Sequence, residues 1–556
     1  MKTVIIGGVA GGATAAARLR RLDEKAQIII LERGEYVSFA NCGLPYYIGG
    51  VIQDRNMLTL QTPESFKRRF NVEVRVCSEA IRIDPMSKTV VVKNWKSGDI
   101  YEESYDSLIL SPGAEPIRPN IEGVKRENVF TLRNIPDMLR IKQYIEEKNP
   151  RSAVVVGGGY IGVEMAENLK LAGLDVTIVE MAGHVIAPLD GDMAADVHQY
   201  IRSKGVGLCL NNGVKSIQEG KVILENGEIP ADMVILAVGV RPETSLAAAC
   251  GITLNSRGSI MVDRHMRTNQ PDIYAVGDAI EVEDFVAKTP AFIPLAGPAN
   301  KQGRIAADNI AGYTSEYTGT QGSAVLKIFD MTVATTGLNE KTAAAAGIRY
   351  DKTYIYSAEH ASYYPGGAGM SIKILWDKAS HKLIGAQIVG FGGVDKRMDV
   401  LATVIRLGGK VTDLTKLELC YAPPFGSAKD PVNMLGFVAE NVISGKLKQF
   451  FWHDVDDLSR DGSVTLLDTR TVMEFARGQI SGFINIPLDS LRQNLDKIPK
   501  DKPVYVHCHS GLRSYIACRI LSGHGYDCYN LAGGWRLYES VMHDRAVPEY
   551  KCTECK

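Results

Sequence analysis

Cysteine is scarce in this chain, ten residues in 556, and scattered except for Cys552 and Cys555 near the end. That thin spacing excludes a disulfide framework and fits a reducing compartment. Long apolar runs are also lacking: no stretch approaches eighteen residues, and the opening MKTVIIGGVAGG has only Val4 to Ile6 before its glycines, without a cleavage-type signal. A cytoplasmic protein that neither crosses nor binds a membrane is expected. Neither sign of charge is in excess, with 63 basic against 64 acidic residues. Nothing therefore draws the chain to nucleic acid or anionic lipid, and any anionic ligand needs a local pocket. Length and a hydrophobic share of 45% imply three to five domains.

What is present begins with a βαβ pattern. Thr3 to Ile6 is an apolar β-branched run entering Gly7-Gly8-Val9-Ala10-Gly11-Gly12, followed by a helical stretch, Ala13 to Leu22, and a strand, Gln27 to Leu31, ending in Glu32. Backbone N–H groups and a helix N-terminus there can hold a pyrophosphate, while Glu32 accepts ribose hydroxyls. Val9 stands where the second glycine of G-x-G-x-x-G would be. A second copy fits fully: strand Ala153 to Val156, then Gly157-Gly158-Gly159-Tyr160-Ile161-Gly162, then strand Val176 to Val179 ending in Glu180. Two such folds imply two dinucleotides. Met181, Ala182 and Gly183 supply no cation beside Glu180, which favours the free 2′-hydroxyl of NADH over NADPH.

Tyr105 to Pro116 (YDSLILSPGAEP, with Ser111 and Gly113), Asp232 to Pro242 (DMVILAVGVRP, with Gly239) and Thr268 to Ala279 (TNQPDIYAVGDA, with Gly277-Asp278) complete a set that resembles the two-dinucleotide flavoprotein disulfide reductases. The resemblance implies FAD on the first fold with its ribitol near Asp278, and NAD(P)H on the second. It implies an α/β chain divided as follows: FAD-binding segments at 1–112 and 242–320, an NAD(P)H domain at 113–241, and an α+β dimerisation domain at 321–446 that makes a homodimer.

The stretch Ser38 to Gly50, SFANCGLPYYIGG, holds one cysteine, Cys42. Many relatives carry C-x4-C beside the flavin; here Tyr47 occupies the second position. The S-F-x-x-C pattern resembles two subgroups, NADH oxidases or peroxidases and coenzyme A disulfide reductases. Peroxide chemistry goes with a histidine in the first glycine turn, where this chain has Ala10. The second subgroup places two tyrosines of the partner subunit near the thiol. The matching motifs are HASYYPG and LCYAPPF, making Tyr363 and Tyr421 expected proton donors to the leaving sulfur. Coenzyme A is anionic, so Arg18, Arg21 and Arg69 are expected phosphate clamps, with Ser38 and Asn41 beside the thiol.

Beyond Ser444-Gly445-Lys446 a separate α/β domain is expected at 447–549, with a tail at 550–556. Cys508-His509-Ser510-Gly511-Leu512-Arg513-Ser514 follows an apolar strand and precedes a helical run, Tyr515 to Leu521, so successive N–H groups can face one sulfur. Arg513 is expected to help hold the anion. A phosphatase loop is the alternative, but its C-x5-R spacing falls on Ser514 with Arg513 one position short, and Asp468-Thr469-Arg470, GFINIP and Ala532-Gly533-Gly534-Trp535 resemble rhodanese, whose cysteine carries sulfane sulfur. Cys77, Cys209, Cys250, Cys518 and Cys528 read as packing, and Cys552-Thr553-Glu554-Cys555 cannot complete a zinc site, so no metal is expected. Together these features describe an NADH-dependent reductase of coenzyme A disulfides, persulfides or polysulfides that releases hydrosulfide. An NADH oxidase or peroxidase, and a non-catalytic sulfur-carrying redox sensor, are the alternatives.

Overall fold

The structure is a computed structural model that describes residues 1–547, so the Cys552–Cys555 pair lies outside the described residues. The described chain forms two compact units, one from Met1–Ala182 and Gly205–Gly322, the other from Gly183–Lys204 and residues 323–547.

The first unit holds two parallel five-stranded sheets. One runs in the order Ile273–Ala275, Ser107–Leu110, Lys2–Ile6, Gln27–Leu31, Glu73–Arg75; the other Gly207–Cys209, Asp175–Val179, Ser152–Val156, Met233–Leu236, Val129–Phe130. Their strands are covered on both faces, which is why they read as unbroken apolar runs: Val4, Ile5, Ile29 and Ile30 are fully buried, each worth about 1.5–3 kcal/mol. In each sheet a glycine turn leaves the end of a middle strand at the point where strand order reverses, the position at which open α/β sheets bind ligands.

Both turns need glycine for the same reasons. Gly7 and Gly157 have φ of +94° and +109°, and an added Cβ would stand 2.1 Å from the Ser111 carbonyl oxygen or 2.3 Å from that of Ala237. At Gly12 and Gly162 a Cβ would meet the first glycine's own carbonyl oxygen at 1.9 Å, so the helix can lie close against its strand. The first helix starts at Ala10 rather than at the expected Ala13, because Gly11 and Gly12 adopt helical backbone at that close approach. Ala114–Pro116 and Val240–Pro242 pair antiparallel where the chain passes between the folds.

In the second unit an antiparallel sheet, ordered Ala324–Ile328, Met331–Gly337, Leu383–Gly390, Gly369–Asp377, Tyr350–Ala358, is packed by the helices Val394–Arg406 and Pro431–Ile443. The latter stops at Ser444, with Gly445 left-handed at φ +69°. A parallel sheet follows, ordered Gln449–Phe450, Cys528–Leu531, Val504–His507, Thr465–Asp468, Ile484–Asn485. Its last helix, Gly534–Ala546, packs on Gly191–Ser203, where Asp544 accepts from buried His198 Nδ1 at 2.7 Å and pairs with Arg202. Nearby, Lys373 is fully buried among Asp190, Asp192 and Glu340, at 2.8 and 2.9 Å from the two aspartates. Among the described residues no helix is long and apolar enough to cross a membrane.

Candidate functional site

Cys42 sits in a short turn, Asn41–Gly43, that leads into the helix Leu44–Ile48. The turn is tied to the first glycine loop: Ser38 is held left-handed at φ +47° and its N–H donates to the Gly8 carbonyl at 2.8 Å. A serine in that region costs of order 1 kcal/mol and persists only where its surroundings enforce it. Gly43 lets the turn seat on Leu58, whose Cδ2 would be 2.5 Å from a Cβ there. Asn41 Oδ1 accepts from the Cys42 N–H at 3.1 Å and lies 3.8 Å from its sulfur. Cys42 is solvent-accessible and free, yet partial burial pushes its thiol up, with the Glu164 and Asp278 carboxyls adding to the effect.

Neither carboxyl is near Cys42 in sequence. Glu164 comes from the helix Tyr160–Leu171 of the second dinucleotide fold, and the Tyr46 hydroxyl donates to its Oε1 at 3.3 Å. Burial pushes Glu164 up to about 7, against the Tyr46 hydrogen bond, which pulls it down. Asp278 follows Gly277, whose N–H donates to Gln302 Oε1 at 2.8 Å. It too is raised by burial, while Arg133 opposes the shift. Tyr46, Glu164, Gln302 and Arg133 went unassigned at the sequence level. The available signal was Glu164 standing two residues past Gly162 on a helix whose other side packs its sheet.

The glycine turns share one more contact. Glu32 Oε2 accepts from the Gly8 N–H at 3.0 Å, and Glu180 Oε2 from the Gly158 N–H at 2.6 Å; the second oxygens accept from Gly34 and Ala182. Each acid is thus fixed at its turn with lone pairs left for ribose hydroxyls. Neither helix start has a side-chain cap, leaving first-turn N–H groups to pyrophosphate, and no atom lies within 4 Å of where a Cβ of Gly159 would stand. Ser111 Oγ accepts from the Gly12 N–H at 3.1 Å, and Gly113, Gly239 and Gly277 all hold left-handed backbone. These residues fit a flavin dinucleotide on the first fold and a nicotinamide dinucleotide on the second. A 340 Å³ cavity lined by Arg33, Glu115, Arg118, Thr131, Arg133 and Arg241 opens beside the crossing strands.

The expected phosphate clamps diverge. Arg18 Nε pairs with Asp308 Oδ1 at 2.6 Å, whereas Arg21 and Arg69 are exposed. In the second unit the Tyr363 and Tyr421 hydroxyls hydrogen-bond each other at 2.8 Å, with 72% and 47% of each residue exposed. That bond, chiefly, pushes the Tyr363 phenol up, so it keeps its proton at neutral pH.

Cys508 follows the strand Val504–His507 and is fully buried in the turn before the helix Leu512–Gly523. Its sulfur accepts from the Gly511 N–H at 3.1 Å and from Ser514 Oγ at 3.2 Å. Arg513, expected to help hold the anion, has its guanidinium in a two-pronged bond to Glu474, at 2.6 and 2.7 Å. It is the second residue of the helix, turned toward Val472–Arg477, so its charge reaches the sulfur only through space. Arg470 is buried on Asp468 and stacked over Trp535, 4.5 Å from the ring centre. Cys528 is buried, its thiol donates to the Cys518 carbonyl at 3.3 Å, and hydrogen bonding with Cys518 and Ser522 holds that thiol down at about 7.

The pyridine nucleotide-disulphide oxidoreductase family matches residues 1–303, its dimerisation domain residues 323–431, and the rhodanese-like domain residues 452–540. Coenzyme A disulfide reductase of Staphylococcus epidermidis is 37% identical over 441 residues, 79% of this chain and all of that protein. Among solved structures, reduced CoADR-RHD of Bacillus anthracis superposes with a TM-score of 0.96 at 51% identity, over 98% of both chains. An NAD-dependent persulfide reductase from A. fulgidus does so at 0.91 and 38%, over 97% of this chain and all of that one. The chain therefore belongs to the pyridine nucleotide-disulphide oxidoreductase family and is an oxidoreductase carrying a rhodanese-like domain.

Proposed function

We propose that the chain is a homodimeric enzyme that uses NADH to reduce coenzyme A disulfide, coenzyme A persulfide or polysulfide through Cys42, while Cys508 relays sulfane sulfur. The observation that carries this is the lone redox thiol: Tyr47 stands where C-x4-C would place a second cysteine, so the disulfide partner of Cys42 arrives as a ligand. The names of the S. epidermidis and A. fulgidus proteins support the substrate class. Glu180, followed by Met181-Ala182-Gly183, supports NADH.

The turns at Gly7–Gly12 and Gly157–Gly162 would hold FAD and NADH, which would supply the electron pair needed at the Cys42 sulfur. The Cys42 thiolate attacks the coenzyme-side sulfur of a persulfide, forming Cys42–S–S–CoA and expelling hydrosulfide. Cleavage of that bond by two electrons returns the thiolate and frees the coenzyme thiol. Tyr363 and Tyr421 of the partner protomer supply protons to the leaving sulfur. Arg21 and Arg69 meet the coenzyme's phosphates with Ser38 and Asn41 near its thiol; Arg18, held by Asp308, contributes less. At Cys508 the Gly511 N–H and Ser514 hydroxyl steady the anion of a carried persulfide.

The test is NADH oxidation by the purified protein against coenzyme A disulfide, coenzyme A persulfide, polysulfide and elemental sulfur, with hydrosulfide measured. Cys42→Ser should abolish every reaction. A Cys508→Ser protein that consumes NADH with polysulfide at the parental rate would refute the relay. Rapid oxygen uptake with NADH alone would instead support an oxidase.

A further inference from the structure

Tyr363 and Tyr421 lie on separate segments of the second unit, and those segments are joined at three depths. Tyr363 stands in the turn between the strands Tyr350–Ala358 and Gly369–Asp377; Tyr421 stands in the stretch 417–430 that leads into the helix Pro431–Ile443. At the tips the two hydroxyls meet at 2.8 Å. Midway, the Ala361 N–H donates to the Gly426 carbonyl at 3.0 Å. At the roots stands Arg397, from the first turn of the helix Val394–Arg406 and only 2% exposed. Its Nη2 donates to the Glu359 carbonyl at 2.6 Å and to Asp430 Oδ2 at 3.1 Å, and its Nη1 donates to the Gly393 carbonyl at 3.2 Å. One guanidinium thus grips a residue four positions before Tyr363 and another nine positions after Tyr421.

The surroundings leave room for that grip. A Cβ on Gly393 would run into Arg397 Nη1, and one on Gly392 would run into Glu359 Oε2. Glu359 also closes the base of its own turn, where its N–H donates to the Ala368 carbonyl at 2.8 Å and its Oε1 accepts from the Ala368 N–H at 3.2 Å. Arg397 Nε, by contrast, is buried with no hydrogen-bond partner among the described residues. A buried, unpaired N–H works against folding, and an apolar side chain of similar volume would avoid that cost. Packing alone therefore does not account for an arginine at this place.

Resting on the assignment of Tyr363 and Tyr421 as proton donors, we infer that Arg397 is the positioning residue that sets the two phenols in register. The tips are exposed, so the buried root is what fixes the distance between the hydroxyls. When the Cys42 thiolate attacks coenzyme A disulfide, a new S–S bond forms to one coenzyme sulfur while the old one breaks. Its electron pair stays on the departing sulfur, which takes one proton from a phenol, and the phenolate regains a proton from water. No electrons enter at this step. A donor must lie within hydrogen-bond reach of the departing sulfur, and a misplacement of about 1 Å costs about 10²-fold. Arg397 acts on the reaction only through the tyrosines it holds.

Arg397→Lys keeps a positive charge for Asp430 but lacks the fork that spans both carbonyl acceptors. The test compares kcat of the FAD-loaded enzyme with two substrates: coenzyme A disulfide, and the mixed disulfide of coenzyme A with nitrothiobenzoate, whose aryl thiolate departs without a proton. The variant should lose about tenfold with the first and less than about twofold with the second. Placed on Tyr363→Phe/Tyr421→Phe, it should cost nothing further, because the donors it positions are gone. Asp430→Asn should show the same selective loss on a smaller scale, which keeps the test decisive if Arg397→Lys folds poorly. Equal losses with both disulfides, losses that add in the triple variant, or an unchanged kcat with coenzyme A disulfide would each overturn the inference. A Tyr363→Phe/Tyr421→Phe enzyme that reduces coenzyme A disulfide at the parental rate would overturn the assignment of the tyrosines instead.

Discussion

Replacing Lys373 with methionine should reverse the pH dependence of stability in the second unit. Lys373 is fully buried, and Asp190, Asp192 and Glu340 crowd its ammonium with carboxylate oxygens all within 4.8 Å of one another. Burial alone would push Asp192 and Glu340 up, but Lys373, joined by Lys352, outweighs it and holds both below their ordinary values. A carboxylate with a depressed pKa stabilises the fold above its unfolded value of about 4 and loses that contribution as pH falls through the folded value. Without the ammonium the sign changes: burial and mutual repulsion now raise the carboxyls, and stability falls as pH climbs through the raised values. Removing one partner from such a buried set costs about 3–5 kcal/mol. At 2–4 °C per kcal/mol for a body of this size, that is roughly 10 °C at pH 8, and much less at pH 5. Thermal melts of parent and Lys373→Met at both pH values measure it. A variant that melts within about 2 °C of the parent at pH 8 would refute the reasoning.

His507 is buried and pushed down to about 4 by that burial, so the neutral ring is the folded form. Stability of the rhodanese-like domain should be complete above about 6.5 and decline as pH falls toward 4, and urea titrations should show His507→Gln flattening that slope. Gly49→Ala forces a Cβ against Asn168 and should destabilise by about 1–3 kcal/mol, read as a lower denaturation midpoint, with slower reduction of Cys42 by NADH. The double variant Tyr363→Phe/Tyr421→Phe should lower kcat for coenzyme A disulfide about 10²-fold or more while leaving flavin content and single-turnover reduction by NADH unchanged. Ser514→Ala removes one of two hydrogen bonds to the Cys508 sulfur and should slow sulfane transfer several-fold in a sulfur-transfer assay without slowing coenzyme A disulfide reduction.

The two dinucleotide folds were legible because each requirement is local: positive φ at Gly7 and Gly157, and the close helix approach at Gly12 and Gly162, tolerate only glycine, within a few residues of an apolar strand. The Cys508 loop was legible for the same reason, its donors Gly511 and Ser514 lying within six residues. Long-range pairings left no such trace. Tyr46 meets Glu164 across 118 positions, and Lys373 meets Asp192 across 181. Arg513 is a further case: its guanidinium pairs with Glu474, 39 positions away, a partner no local motif announces.

The paired hydrogen bonds of Glu180 bear on how such an enzyme changes its diet of reductant over evolution. The same carboxylate that would greet a ribose also braces the Gly158 and Ala182 amides. A mutation toward NADPH that exchanges this acid for a small or cationic residue therefore strips two amides of their acceptor before any new phosphate contact exists. Cofactor choice and loop architecture are inherited together here, and a lineage switching reductants has to repair the turn in the same step.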